Sequence, residues 1–221
     1  MASRMQFVQV KNQIILTALL IALISVFAMP AQAYALGEAT PLPTLPTFIG
    51  NVVDGNENVL RGIYVADVMA FPVVQQPSGN PGYVSTAEAT ITQFGMASQF
   101  GNIGLLAHNY LAGYSFPQVK AGDTIVLIYG DGHTHSFTVE EVLRYQALTP
   151  YSPYSSFKDL QSGATLSAEE LFNKVYRGDF HVTLQTCIDN AGVSSWGRLF
   201  IIAKPVTFKA RDTFTTSHQG I

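Results

Sequence analysis

The sequence predicts a mostly β domain, either a closed barrel or a sandwich, and three observations support this fold class. From residue 61 onward, short apolar runs alternate with clusters of turn residues, as in all-β domains. Only one or two segments of this region carry a helical pattern. With 48% apolar and 12% charged residues, the 221-residue chain has the composition of a globular protein with one medium-sized core.

The charge of the chain argues against one class of partner. The formal net charge is only -3 and the pI is about 5.9, so the chain lacks the basic field that binding to a phosphate backbone requires. We therefore expect no nucleic-acid partner.

The first 33 residues have the layout of an export signal. Arg4 and Lys11 precede an apolar run from Ile14 to Met29, and the small-residue motif AQA follows it. This motif favours cleavage directly behind it, although the run is also close to the length of a membrane span. Residues 1–33 are therefore expected to be a signal peptide or an N-terminal membrane anchor, and the rest of the chain to work outside the cytoplasm.

Two segments flanking the expected domain are polar and rich in turn residues. Residues 34–58 are predicted to be a Pro/Thr-rich linker, and residues 209–221 a polar C-terminal tail. Within the linker, LPTLPT at Leu42 to Thr47 is typical of an extended spacer. The alternative is that this stretch binds back into a substrate groove as a tethered pseudosubstrate, in which case deleting residues 34–58 accelerates turnover.

The predicted domain, residues 59–208, contains six or more strand-like runs. A helix is predicted around Glu88 to Gln99, and the dipeptide Asp131-Gly132 between two apolar runs predicts a hairpin turn. A later capping box, Ser167 with Glu170, predicts a short helix with an apolar stripe. The stripe consists of Leu171, Phe172, Val175 and Tyr176.

The only cysteine of the chain lies in a predicted strand, HVTLQTCI, at residues 181–188. Its apolar residues recur at alternate positions and share one face, which places Cys187 on the other face, away from the predicted core. The same alternation in RLFII places Arg198 on the face away from Leu199, so two antiparallel strands would bring the thiol and the guanidinium close together. A lone cysteine in an exported protein is intermolecular, reactive, or buried and inert, and composition does not choose among these.

A reactive thiol needs a partner that transfers protons, and histidine serves this role. His181 shares the strand face of Cys187, but six residues along a strand span about 20 Å. His133 and His135 lie in the hairpin turn, where an exposed polar role is expected and two histidines alone are weak evidence for a metal. His108 follows the apolar run IGLLA at a strand end, which makes it the candidate base. A purely structural role for the whole set remains the alternative.

These residues resemble the motif set of the sortase family. TLQTC at Thr183 to Cys187 is similar to the family's T-L-x-T-C, with an arginine in WGRLF at Arg198 and a histidine in LLAHN at His108. The resemblance extends over about Arg61 to Phe208. It implies a sortase-like closed β-barrel of about eight strands with one or two short helices and a groove for a peptide sorting signal.

The resemblance also implies cysteine transpeptidation. Cys187 would attack the scissile carbonyl and form a thioester, and His108 would protonate the leaving amine and deprotonate the incoming one. Arg198 would hold the oxyanion or the bound signal. Thr186 would offer its backbone N–H or its hydroxyl to the oxyanion, and Thr183 is a second candidate for oxyanion or substrate contacts. No cofactor and no metal are implied.

The implied partners are surface proteins with a C-terminal sorting signal and an amine acceptor of the cell-wall or pilin type, met at the outer face of the membrane. Ala107 stands where many members have glycine before the histidine, and the sequence has no D-P-aromatic lid motif, so the sortase class is not assigned. Two other functions stay open. One is a hydrolytic cysteine peptidase on the same scaffold, and the other is a non-catalytic cell-surface binding barrel.

Overall fold

The computed structural model describes residues 41–206, which form ten β-strands, three α-helices and one 3₁₀ helix. The strands are β1 (Leu60–Val65), β2 (Met69–Gln75), β3 (Ile91–Phe94), β4 (Ile103–Leu106), β5 (Thr124–Tyr129), β6 (Thr134–Ala147), β7 (Phe157–Asp159), β8 (Thr165–Leu166), β9 (Val182–Asn190) and β10 (Val193–Pro205). The helices are α1 (Leu45–Val52), α2 (Gly95–Ser98), the 3₁₀ helix (Ala112–Gln118) and α3 (Ala168–Tyr176).

Eight of these strands close into a barrel. Around the barrel the order is β10, β9, β4, β3, β2, β1, β5 and β6, and β6 pairs again with β10. The pairings of β2 with β3 and of β4 with β9 are parallel, and the others in the barrel are antiparallel. β7 and β8 extend the sheet from the last residues of β6. The mostly β, closed barrel expected from the sequence is confirmed.

The predicted hairpin lies between β5 and β6. Gly132 has a φ of +92°, which glycine adopts without a steric penalty, and its N–H donates to the carbonyl of Tyr129 at 2.9 Å. The Asp131-Gly132 turn is therefore confirmed.

The predicted capping box begins α3. The N–H of Glu170 donates to the hydroxyl of Ser167 at 3.2 Å, and the N–H of Ser167 donates to the carboxylate of Glu170 at 2.8 Å. The predicted stripe of α3 packs on the outer face of the barrel, against β6 and β10, and forms a second apolar cluster beside the barrel interior. Its buried members include Leu171, Val175, Tyr176, Tyr145, Phe200 and Ile202.

The linker prediction for residues 34–58 is wrong where α1 lies, and residues 34–40 are outside the described part of the chain. The hydroxyl of Thr44 accepts from the N–H of Thr47 and caps the helix, and Pro46 is tolerated because the first helical turn needs no N–H donor there. Phe48 is buried against β1, where its ring lies near Gly62 and Tyr64. The sequence LPTLPT therefore begins a docked helix rather than an extended spacer.

The helix predicted around Glu88 to Gln99 is also largely wrong. Residues Ile91–Phe94 form β3, and only Gly95–Ser98 are helical. Ile91 and Thr92 are both fully buried, and β-branched residues of this kind suit a strand enclosed on two sides. Burial between β2 and β4 outweighed the local helical pattern.

The expectations for both ends of the chain fall outside the described residues. Residues 1–33 and the tail 209–221 lie beyond residues 41–206. Within 41–206, none of the helices combines the length and the apolar character that a membrane crossing requires.

Candidate active site

Cys187 lies near the end of β9, on the face that points away from the barrel interior. Val182, Leu184 and Ile188 belong to or pack against the interior cluster, as the alternation of the sequence predicted. The thiol is free and its residue is only partly buried. Cys187 is therefore not the fully buried residue that the inert alternative requires.

Arg198 lies directly opposite Cys187 in the antiparallel pair of β9 and β10. Side chains at such positions start from Cβ atoms about 5 Å apart on the same face of the sheet. One guanidinium nitrogen of Arg198, Nη1, donates to the carbonyls of Gly197 at 2.8 Å and Ser195 at 3.3 Å. The guanidinium carbon lies 5.9 Å from the ring centroid of Phe157, so backbone acceptors and an aromatic ring fix the position of this charge.

The parallel pairing of β4 with β9 brings the chain segment that leads into His108 beside the strand of Cys187. Leu106 is the register partner of Gln185, and the next N–H, that of Ala107, donates to the carbonyl of Gln185 at 3.2 Å. β4 ends at Leu106, and His108 lies two residues beyond it, in the loop that follows. The predicted residues thus come from β9, from β10 and from the loop directly after β4.

The loop that carries His108 is anchored by several hydrogen bonds. The carbonyl of His108 accepts the N–H groups of Leu111 and Gly113, both at 3.0 Å. The side-chain amide of Asn109 donates to the carbonyl of Ser194 at 3.2 Å and joins the loop to β10. The imidazole itself stacks on the exposed ring of Tyr110, with centroids 5.1 Å apart. These contacts fix the backbone on both sides of the candidate base.

Thr186 has a different role from the one predicted for its side chain. It is buried, and its hydroxyl donates to the carbonyl of Ala107 at 2.8 Å, on the face of β9 opposite to Cys187. The hydroxyl is therefore not directed at an oxyanion on the thiol, and the predicted oxyanion role rests on the backbone N–H alone. Instead, the side chain ties β9 to the residue that precedes His108.

The prediction that Thr183 contacts substrate is corrected. Thr183 is fully buried under α3, and its hydroxyl donates to the carbonyl of Val175 at 2.6 Å. The sequence pattern did not show that α3 covers this face of β9. Tyr176, whose buried position raises its pKa, adds a second link by donating its hydroxyl to Gln185 at 2.6 Å.

The other described histidines are separate from the thiol. The ring nitrogens of His181 lie 2.6 Å and 3.0 Å from the carbonyls of Asp179 and Val175, so this residue joins α3 to β9. His133 is exposed, as predicted, and stacks on Tyr129 with centroids 4.3 Å apart. In residues 41–206, no group of three or more His, Cys, Asp or Glu side chains is arranged to hold a metal ion.

A cavity of about 360 Å³ opens beside Cys187, and sequence reasoning did not anticipate two of its residues. Arg144 of β6 and Asp189 of β9 contribute opposite charges to its lining. Arg144 was missed because its place depends on the register of β6 with β10, which sets it opposite Leu199. The residues that line the cavity include Cys187, Asn109, Tyr114, Arg144, Asp189 and Leu199, whereas the described side chains of His108 and Arg198 are not among them.

No protein-family model matches the sequence, and no curated protein matches it. Solved structures similar to the chain include sortase A of Listeria monocytogenes, at 17% identity and a TM-score of 0.44 over 70% of this chain and 89% of that chain. Sortase C-1 of Actinomyces oris is 14% identical, with a TM-score of 0.46 over 76% of this chain and 83% of that chain. Sortase D5 of Clostridium perfringens is 12% identical, with a TM-score of 0.43 over 75% and 90%.

The closed, mostly β barrel agrees with the fold that the resemblance of the TLQTC motif implied, and the class of sortase is unassigned.

Proposed function

We propose that the chain is a sortase-like cysteine transpeptidase, which cleaves a sorting-signal peptide through a thioester on Cys187 and transfers it to an amine. The observation that carries this proposal is the strand register. It sets Cys187 opposite Arg198, and it pairs the end of β4, two residues before His108, with Gln185, two residues before Cys187. A thiol, an imidazole and a guanidinium are the groups that the proposed acyl transfer through a thioester requires.

In the first half-reaction, His108 takes the thiol proton and the sulfur of Cys187 attacks the scissile carbonyl carbon. The positive charge of Arg198 stabilises the oxyanion that develops on the carbonyl oxygen. His108 then gives its proton to the leaving amine as the carbon–nitrogen bond breaks. The product of this half-reaction is a thioester between Cys187 and the sorting signal.

In the second half-reaction, an amine attacks the thioester carbonyl. His108 accepts a proton from the attacking nitrogen, a new amide bond forms, and the carbon–sulfur bond breaks. The thiolate of Cys187 regains its proton from His108. Cys187 and His108 therefore act in both half-reactions, and the enzyme returns to its starting state.

The proposal includes a location and two kinds of partner. The expected export signal in residues 1–33 supports action at the outer face of a membrane, with this segment cleaved or retained as an anchor. The acyl donor is then a surface protein with a C-terminal sorting signal. The acyl acceptor is an amine of the cell-wall or pilin type.

The test is intact-protein mass spectrometry of the full-length protein with a pool of LPxTG-type peptides, with and without a small amine. We expect an adduct on Cys187 that the amine discharges into a ligated peptide. Cys187→Ala is expected to form neither adduct nor product. His108→Ala, with Cys187 intact, is expected to slow both half-reactions.

Three other results would contradict the transpeptidase proposal. Peptide cleavage by Cys187→Ala would remove the nucleophile from the mechanism. An adduct that only water discharges would indicate a hydrolytic peptidase. Peptide binding without an adduct, in both the parent and Cys187→Ala, would indicate a binding barrel.

A further inference from the structure

The cavity beside Cys187 is lined by two residues of opposite charge, Arg144 from β6 and Asp189 from β9. We infer that this cavity, hereafter the acceptor cavity, binds the incoming amine, and that the amine carries a carboxylate a short distance from its nitrogen. Asp189 attracts the ammonium group, and Arg144 binds the carboxylate. The inference rests on the proposed function and specifies the class of its second substrate.

Both charged side chains are available for a ligand. Among residues 41–206, the side chain of Arg144 takes part in no ion pair and no hydrogen bond, and outside the strand ladder its backbone carbonyl accepts the N–H of Leu160 at 2.9 Å. Asp189 likewise has no side-chain partner within this part of the chain, and the two do not pair with each other. By contrast, Arg61 is paired with Asp54.

The position of the cavity favours the acceptor over the acyl donor. It is lined by the nucleophile Cys187 and by Asn109, the residue that directly follows the candidate base His108. An attacking amine must reach the thioester carbon and pass a proton to that base, so its path lies between these two residues. Arg198 does not line the cavity, and in the proposed mechanism it binds the carbonyl oxygen of the donor.

The remaining walls suit the part of the ligand between the two charges. Ile188, Leu199 and Pro117 are apolar, and methylene or peptide groups pack against such surfaces. The volume of about 360 Å³ is within the range of sites for small ligands. A short amino-carboxylate therefore fits the cavity in charge, polarity and size.

A first experiment tests the charges without requiring turnover. Because Cys187 is the only cysteine, alkylation of the full-length protein reports on this site alone. We measure the ratio of the alkylation rate with iodoacetate, which is anionic, to the alkylation rate with iodoacetamide, which is neutral. Arg144→Gln is expected to lower this ratio about threefold, and Asp189→Asn to raise it by a similar factor.

Arg177→Gln is the matched control, since it removes an exposed arginine that lies over Phe100 instead of beside the thiol. Its alkylation ratio is expected to equal that of the parent. An unchanged ratio in Arg144→Gln, with the melting temperature of the parent, would overturn the inference. An equal change in Arg177→Gln would overturn it too, because the effect would then reflect net charge.

A second experiment tests the acceptor class on the acyl-enzyme, with triglycine and triglycinamide as acceptors. The two probes differ only at the C-terminus, which is a free carboxylate in triglycine and a neutral amide in triglycinamide. The parent is expected to show a KM about tenfold lower for triglycine than for triglycinamide, and Arg144→Gln to lose this preference. Asp189→Asn is expected to raise KM for both probes.

The failures of the two proposals are distinguishable. If an adduct forms on Cys187 and both probes discharge it equally in the parent, the acceptor inference fails and the transpeptidase proposal stands. If Arg144→Gln changes the KM of the acyl donor and not that of the acceptor, the cavity belongs to the donor and the inference fails. If no peptide forms an adduct, the proposed function fails and the acceptor assignment fails with it.

Discussion

The hydroxyl of Thr186 holds the strand end that carries His108. It donates to the buried carbonyl of Ala107 at 2.8 Å, one residue before the candidate base. In the proposed mechanism, Thr186 is therefore a positioning residue, which acts on proton transfer through the backbone of His108 and does not touch the substrate. Its position inside the barrel separates it from Cys187, which points outward.

Thr186→Val is expected to slow turnover about tenfold, because the carbonyl of Ala107 loses its donor and the loop of His108 shifts. Single-turnover rates of thioester formation measure the effect. Thr186→Ser, which keeps the hydroxyl, is expected to restore most of the rate. If the serine variant were as slow as the valine variant, the loss would reflect packing, and the positioning role would be wrong.

Gly113 is where the same loop passes closest to Thr186. A Cβ at this position would overlap the hydroxyl oxygen of Thr186 and lie 2.7 Å from the carbonyl oxygen of His108. Gly113→Ala is therefore expected to reduce the free energy of unfolding by about 2 kcal/mol, measured by urea denaturation.

Gly50, in α1, is the control for that substitution. No atom lies within 4 Å of the place that an added methyl group would take, so Gly50→Ala is expected to raise stability by about 1 kcal/mol through helix propensity. Similar effects of the two substitutions would contradict the steric account of Gly113.

Cys187, His108 and Arg198 were predicted from strand alternation and from the resemblance to the sortase motif set, which are local properties of the sequence. The face of Thr186 also followed the alternation, but its hydrogen-bond partner lies 79 residues away and is not visible in the sequence. Thr183 was misassigned for the same kind of reason, since a helix that covers it is invisible to strand periodicity. Arg144 required the register of two distant strands.

At the scale of elements, α3 gives a prediction about pH. The backbone N–H of Ser167, followed by its side chain, lowers the pKa of Glu170 below its ordinary value of 4.5. A carboxyl group whose pKa is lowered by folding stabilises the fold above its ordinary pKa and loses this effect as the pH falls through the lowered value. The capping box therefore contributes at neutral pH and is lost in acid.

Glu170→Gln is expected to reduce the loss of stability between about pH 5 and about pH 3, since the variant has no carboxylate to protonate. Urea denaturation at each pH measures this slope. Glu169→Gln, which removes a neighbouring charge of the same helix turn, is the control. A slope in Glu170→Gln equal to that of the parent would show that the cap does not depend on charge.

The helix α1 gives a second prediction at this scale. Phe48 is only 4% exposed and packs against β1, so Phe48→Ala is expected to cost about 3 kcal/mol in the free energy of unfolding. Phe100→Ala, which truncates a ring that is 36% exposed, is expected to cost about 1 kcal/mol.

Deleting residues 34–58 is accordingly expected to destabilise the barrel instead of accelerating turnover, and an active, equally stable deletion variant would contradict this.

The two wrong predictions of secondary structure, the linker at LPTLPT and the helix around Ile91, share a physical cause. LPTLPT has the composition of a linker, yet one capping threonine and one buried phenylalanine are enough to dock a two-turn helix. The segment around Ile91 has a helical pattern, yet burial between two strands makes it β3. In both cases tertiary packing outweighed the local preference.

At the scale of the whole molecule, the fold class was predictable and the strand order was not. Short apolar runs with turns between them indicate a barrel or a sandwich, because each strand needs only one buried face. Which strands pair depends on contacts distant in sequence, such as the parallel pairing of β4 with β9. The motif resemblance decided in favour of the barrel, and the closure of β6 on β10 confirmed it.

The closure of the barrel by β10 also sets the point in synthesis at which the candidate site is complete. β10 is the last strand along the described chain, and it supplies Arg198, pairs with the strand of Cys187 and seals the sheet against β6. A chain emerging from its amino end has neither a closed barrel nor an arginine opposite Cys187 until β10 has followed. The candidate site is therefore assembled in the last step of folding, together with the barrel itself.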